Sequence, residues 1–203
     1  MKTHKFAIVY ADPAWSYKCW SQKGKGRSAA HHYDVMTIEA IKALPVHEIT
    51  DDNAVLFLWA THPLLPEALE VIKAWGFTYK TVGFTWVKRN RKSNNWFLGM
   101  GYYTRANAEI CVVATKGKGL PRRSKAVHSI IDAPVEEHSK KPDVVRQRIV
   151  ALFGDVPRVE LFARRRAVGW VTVGNEIDGR DIREVLRGMA WDRARGEGPG
   201  RAA

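Results

Sequence analysis

The run Asp12-Pro13-Ala14-Trp15 closes the apolar segment Phe6-Ala7-Ile8-Val9-Tyr10-Ala11. Its residue types suit the binding of a flat ring that carries an amine. The Asp12 carboxylate and the Pro13 carbonyl are acceptors, and each can take one hydrogen of an exocyclic NH2. The Trp15 indole supplies a face for stacking. Adenine is such a ring, and the set suits transfer of a group to its amino nitrogen. The same four letters also occur where a strand simply ends in a tight turn.

Three further groups stand at the ends of apolar or helical runs. Glu160-Leu161-Phe162-Ala163-Arg164-Arg165-Arg166 closes one run and Gly174-Asn175-Glu176 the next. Their polar side chains suit hydroxyls such as those of a ribose; alternatively, Gly174-Asn175 is only a turn. His138-Ser139-Lys140-Lys141-Pro142 precedes a helical pattern. A helix start with a hydroxyl and a lysine suits a carboxylate or phosphate, and it equally describes an ordinary helix cap.

Between Lys88 and Lys125 stand ten Lys or Arg residues and one acidic residue, Glu109, with Trp96, Phe97, Tyr102 and Tyr103 interleaved. Cations that meet phosphates and aromatics that stack on bases are a nucleic-acid pattern. The nucleic-acid-binding candidates are Tyr33, Lys88, Arg89, Arg91, Lys92, Tyr102 and Arg105. The alternative is a pair of solvated loops around one strand.

No metal site is expected. His31-His32 has no third ligand, and Cys19 and Cys111 lack zinc or disulfide spacing. There is no Gly-x-Gly-x-x-Gly loop and no P-loop. Lys116-Gly117-Lys118-Gly119 reads as a turn.

The elements that position these groups follow from hydrophobic patterning. With 203 residues and 45% hydrophobic residues, the chain is long enough and apolar enough for one domain with a full core. Lys and Arg number 33 against 21 acidic residues, a net charge of +12. That excess favours a polyanionic partner, nucleic acid before an anionic membrane. The basic start followed by a six-residue apolar run is too short for a signal sequence, and no stretch is long enough to span a membrane. A cytoplasmic protein is expected.

Strands are predicted at Phe6–Tyr10, Val55–Ala60, Val82–Val87, Glu109–Thr115, Arg158–Ala163 and Trp170–Val173. Helices are predicted at Ile38–Leu44, Leu64–Trp75, Asp143–Phe153 and Ile182–Met189, with Gly76 and Gly154 placed as left-handed caps. This alternation reads as a three-layer α/β domain with a mostly parallel sheet, spanning residues 1–192, with a disordered basic tail at 193–203. Ser16–Tyr33 and Lys88–Arg105 read as long loops. In such sheets ligands bind beyond the carboxyl ends of the strands, where Asp12 falls.

Taken in order, the pieces are Asp12-Pro13-Ala14-Trp15, Tyr33-Asp34-Val35-Met36-Thr37, Leu44-Pro45-Val46, Leu58-Trp59-Ala60-Thr61 and Thr85-Trp86-Val87-Lys88. They continue with Gly101-Tyr102-Tyr103-Thr104-Arg105, Glu109-Ile110-Cys111-Val112, His138-Ser139-Lys140-Lys141-Pro142, Glu160-Leu161-Phe162-Ala163-Arg164 and Gly169-Trp170 through Gly174-Asn175-Glu176. This order resembles the MT-A-type adenine-N6-methyltransferase family, whose signature is Asp-Pro-Pro-Trp. The resemblance runs from about Phe6 to about Glu176.

It implies a Rossmann-like methyltransferase fold in permuted order, with the catalytic strand first. It also implies transfer of a methyl group from S-adenosyl-L-methionine to the N6 amine of adenine. DNA is favoured over RNA, because no appended RNA-binding domain is seen, and a bacterial or phage modification enzyme is implied, as monomer or homodimer. By position, Asp12, Pro13 and Trp15 would be catalytic. Asp12, Ser139, Glu160, Arg164, Arg166, Asn175 and Glu176 would meet the cofactor. Ala14 replaces the second proline of the signature. Longer members also have a strand upstream of the catalytic one, and its cofactor contact is expected to be missing here or supplied otherwise.

Overall fold

The computed structural model describes residues 5–15, 36–136 and 140–194. Seven strands form one sheet: β1 (Phe6–Ala11), β2 (Thr50–Ala60), β3 (Thr78–Arg89), β4 (Ala108–Lys116), β5 (Ile130–Pro134), β6 (Arg158–Leu161) and β7 (Val171–Val173). Their order across the sheet is β5-β3-β4-β2-β1-β6-β7. Only β4 runs antiparallel to its neighbours β2 and β3; the other pairs are parallel. Six strands therefore end at the same edge of the sheet, and β4 starts there.

The strand sequences explain this arrangement. Every residue of β1 is buried, because the strand is central and covered on both faces. Val9 and Ala11 join one hydrophobic cluster with α1 (Ile38–Lys42), α2 (Val46–Ile49), α3 (Leu65–Ala74) and α6 (Ile182–Ala194). Ile8 and Tyr10 point the other way and pack with α4 (Val144–Phe153). A mixed α/β architecture with helices on both faces results.

Buried indoles fasten the layers. Trp59 donates its ring N–H to the Tyr10 hydroxyl at 2.7 Å, and Trp75 donates to the Ile41 carbonyl at 2.9 Å. Trp86 reaches the Ala133 carbonyl, also at 2.9 Å. Several of the chain's eight tryptophans thus build the core, since an indole buries a large area once its one donor is satisfied.

Several boundaries differ from the pattern-based expectation. The strand predicted to run through Ala163 stops at Leu161, because Phe162 has φ +60. Trp170 lies in a turn that its N–H closes onto the Ala167 carbonyl. β5, α2 and the four-residue α5 (Asn175–Asp178) were not anticipated. α4 starts at Val144, so Pro142 stands outside its first turn and accepts from the Val145 N–H at 3.1 Å. Gly76 has φ +80, as expected of a helix-ending glycine. Lys88 and Arg89 belong to β3 and not to the following loop, and α6 runs to Ala194.

Candidate active site

β1 delivers Asp12 to the edge of the sheet. Beyond it the chain turns tightly: the Trp15 N–H donates to the Pro13 carbonyl at 2.8 Å, with Ala14 as the middle residue. The Ala14 carbonyl accepts from the Met36 N–H at 3.1 Å. The Trp15 indole donates to the Trp59 carbonyl at 3.1 Å, and the residue is only 8% exposed. Trp15 is therefore an anchor of the turn in the hydrophobic core. Its apolar body joins the α1, α3 and α6 cluster, which explains the burial. The Pro13 carbonyl already accepts one N–H, and a second lone pair is left for a ligand donor.

Asp12 is held by a buried lysine. Lys141 Nζ lies 2.9 Å from Asp12 Oδ2 and 3.2 Å from Glu109 Oε2, and Glu109 is in turn paired with Lys88. Lys141 also lies over the Trp59 ring, 5.5 Å from its centre. Burial disfavours the Lys141 ammonium, but Asp12 and Glu109 outweigh it and raise the group above the ordinary lysine range. Burial works against the Glu109 carboxylate too, and Lys141 with Lys88 still holds it below its usual range. The chain of four thus carries four formal charges that alternate in sign.

The neighbouring strand supplies the second part. Tyr10 and Glu160 lie side by side in the β1–β6 register, and alternation places Asp12 on the same face. Arg146 of α4 grips Glu160 with both ends of its guanidinium, at 2.6 and 2.8 Å. Burial raises the Glu160 carboxyl against the opposing pull of Arg146. Asp143, the N-cap of α4, is opposed by burial yet drawn down to about 2 by Arg165 and Arg146.

Beside Glu160 the backbone is unusual: among the described residues, Phe162 is the only non-glycine with positive φ. Strain of this kind persists where surrounding structure imposes it, often at ligand sites. Gly174, next to it at the end of β7, is needed because a Cβ there would fall 2.2 Å from the Ala163 carbonyl oxygen. Asn175 uses its side-chain oxygen to accept from the Ile182 N–H at 3.1 Å, capping α6. Arg164 and Glu176 pair loosely at 3.8 Å, and Arg166 is exposed.

The structure therefore gathers Asp12, Pro13, Glu160, Arg164, Asn175 and Glu176 at adjacent strand ends of β1, β6 and β7. Neighbouring strands lie about 4.8 Å apart, so these groups span a stretch suited to an elongated ligand. Ser139 and Tyr33 lie outside the described residues.

The nucleic-acid candidates divide. Lys88 is turned inward to Glu109. Arg89 binds both Asp132 oxygens at 2.7 Å and stacks 3.6 Å from the Trp96 ring centre. Arg91, Lys92 and Arg105 are exposed on the loop 90–107, and a cleft at its base is lined by Arg89–Asn94 and Asp132–Pro134. At its tip Tyr102 is 83% and Tyr103 93% exposed.

Lys141 and Glu109 stand in the sequence motifs without an assigned role, and Arg146 stands in none of them. One signal was present: Glu109 is a lone carboxylate at the head of an apolar strand, and a buried charge must find a partner. Arg146 gave none, being one arginine among many on a helix.

Carboxylates at three strand ends, one with a buried lysine and one with an arginine, define an α/β enzyme for a ligand bearing amines and hydroxyls. S-adenosyl-L-methionine fits that donor set: Glu160, Asn175 and Glu176 suit hydroxyls and amines, and a buried ammonium suits a carboxylate. Residues 6–176 match the MT-A70 family. The chain is 32% identical over 200 residues, 91% of its length, to the type II methyltransferase M.MunI of Mycoplasma sp, 83% of which is covered. It is 29% identical over 178 residues to the N(6)-adenosine-methyltransferase MT-A70-like protein of Drosophila melanogaster and to the N(6)-adenosine-methyltransferase catalytic subunit METTL3 of Homo sapiens. These matches cover 86% of this chain but only 27% and 29% of those proteins. The chain belongs to the MT-A70 family and is an S-adenosyl-L-methionine-dependent adenine-N6-methyltransferase.

Proposed function

We propose that the substrate is adenine in DNA. The observation that carries this is the relative of which the chain covers most, a type II methyltransferase, which is a DNA-modifying class. The N(6)-adenosine-methyltransferases are matched over less than a third of their length.

The sheet supports a permuted, three-layer Rossmann-like reading. β1, with Asp12, comes first in the chain, yet it lies beside β6 and β7, whose ends carry the proposed cofactor residues. Bound cofactor supplies the electrophilic methyl group. Asp12 and the Pro13 carbonyl accept the two N6 hydrogens and aim the nitrogen lone pair, so that positioning and electrostatics provide most of the acceleration. Lys141 holds the Asp12 carboxylate in place, and Trp15 holds the turn that aims it. Glu160, Asn175 and Glu176 bind the hydroxyl and amine groups of the cofactor. The Ser139 segment with Lys141 meets its carboxylate, and Arg164 and Arg166 flank it. In a duplex the adenine must leave the stack, at a cost of a few kcal/mol. Arg91, Lys92 and Arg105 would hold phosphates, and Tyr102 would stack on a base. Arg89 contributes from the base of the loop, whereas Lys88 is turned inward to Glu109.

The test is incubation with methyl-labelled cofactor and separate pools of duplex DNA, single-stranded DNA and RNA, followed by mass spectrometry of the nucleosides. N6-methyladenine from DNA is expected. Label found only in RNA would replace the substrate; label on cytosine or on protein would overturn the reading.

A further inference from the structure

Glu109 and Lys88 have no part in the chemistry set out above, yet both are mostly buried and they complete a line of four charges: Asp12, Lys141, Glu109, Lys88. The line starts on β1 and passes through the segment before α4 to β4 and β3, so each member is fixed by a different piece of backbone. As a whole it is neutral. Without Lys88, the remaining three groups carry one net negative charge, and a proton is drawn to one of the two carboxylates. Without Glu109, Lys141 loses the second carboxylate that fixes its position.

We propose that Glu109 and Lys88 are positioning residues for methyl transfer. Acting through Lys141, they fix the position and the charge surroundings of the Asp12 carboxylate, although neither touches the adenine or the cofactor. Lys88 thus serves the site from inside, and the phosphate-binding work of the basic stretch falls to the exposed cations beyond it. This rests on the methyltransferase reading of Asp12.

Among the described residues, Tyr10, Cys111 and Glu160 are titratable groups coupled electrostatically to this line. Burial pushes the Tyr10 hydroxyl and the Cys111 thiol well up, so both are neutral at working pH. Glu160 is engaged by Arg146.

The experiment compares Lys88→Met, Glu109→Gln and the double variant in single-turnover methyl transfer, with saturating cofactor and DNA, over a pH series. Lys88→Met is expected to slow transfer about tenfold near neutral pH and to move the acid limb up by about one unit. Glu109→Gln is expected to move the alkaline limb down, because Lys141 loses an anionic partner. The double variant leaves the neutral Asp12–Lys141 pair and should be faster than Lys88→Met, a non-additive result. KM for DNA and its salt dependence should stay within about twofold of wild type.

The opposite pattern overturns the proposal: Lys88→Met weakening DNA binding and flattening the salt dependence, with transfer rate and pH limbs unchanged. Additive effects of the two substitutions overturn it as well. If Glu109→Gln fails to fold, Lys88→Met and Glu109→Asp decide, the latter expected to keep the wild-type pH limbs. An inactive wild type would count against the methyltransferase reading itself, whereas an active wild type with additive variants counts only against the role of this pair.

Discussion

Lys88 and Lys92 stand four residues apart in one basic stretch, and the fold uses them in opposite ways. Lys88 is at the end of β3, mostly buried and paired with Glu109; Lys92 is exposed on the loop 90–107. A buried ion must have a partner, and deleting that partner leaves an uncompensated charge in a poorly solvated place. An exposed cation needs none, is screened by salt, and can exchange its counterions for phosphates. On the proposed reading, the same residue type therefore shapes the active site from within and binds substrate from outside. Charge count along the sequence does not separate the two roles, but burial does.

The contrast breaks most visibly at the centre of the buried line. Lys141→Met would leave Asp12 and Glu109 without their shared cation. It is expected to cost about 3–5 kcal/mol of stability, by denaturant unfolding, and to abolish methyl transfer. Trp15→Phe keeps the apolar body of the side chain but orphans the Trp59 carbonyl, and should cost about 1–3 kcal/mol in the same assay. Methyl transfer would fall with it, because the turn carrying Asp12 loses its anchor.

On the exposed side, the Arg91→Ala/Lys92→Ala/Arg105→Ala variant should raise KM for DNA about tenfold at moderate salt and reduce the salt slope by about one per lost contact, leaving saturated single-turnover transfer and stability near wild type.

The smallest effect concerns Asp143. Its folded pKa, about 2, lies below the unfolded value near 3.8, so its ion pairs stabilise the fold above about pH 4. That contribution fades as pH falls from about 4 towards about 2. The difference in melting temperature between wild type and Asp143→Asn should therefore be largest near neutral pH and shrink with acidification over this range.

How much of this could be read from residue order depends on burial. β1, β2 and β4 were legible because strands covered on both faces are nearly continuous runs of Val, Ile, Leu and Phe. β5 was not: it is a five-residue edge strand with an exposed Ile130 and a terminal Pro134, so no period stands out. Asp12 and Glu160 stand out in the sequence as candidates because polar residues close buried strands there, where α/β sheets bind ligands. Their partners do not, since Lys141 meets Asp12 across 129 residues of chain. Trp15 stands out by type, but its burial does not, because the packing of α1, α3 and α6 around it is not visible in residue order.

The most direct measurement follows the fate of the labelled methyl group in one turnover, with wild type and Asp12→Asn on the same adenine-containing DNA. Asp12→Asn keeps the side-chain shape but removes the negative charge and one of its two acceptor oxygens. Wild type should yield N6-methyladenine, and the variant should bind cofactor yet transfer at least about a hundredfold more slowly. A variant that methylates adenine at the wild-type rate would contradict the role assigned to the Asp12 carboxylate.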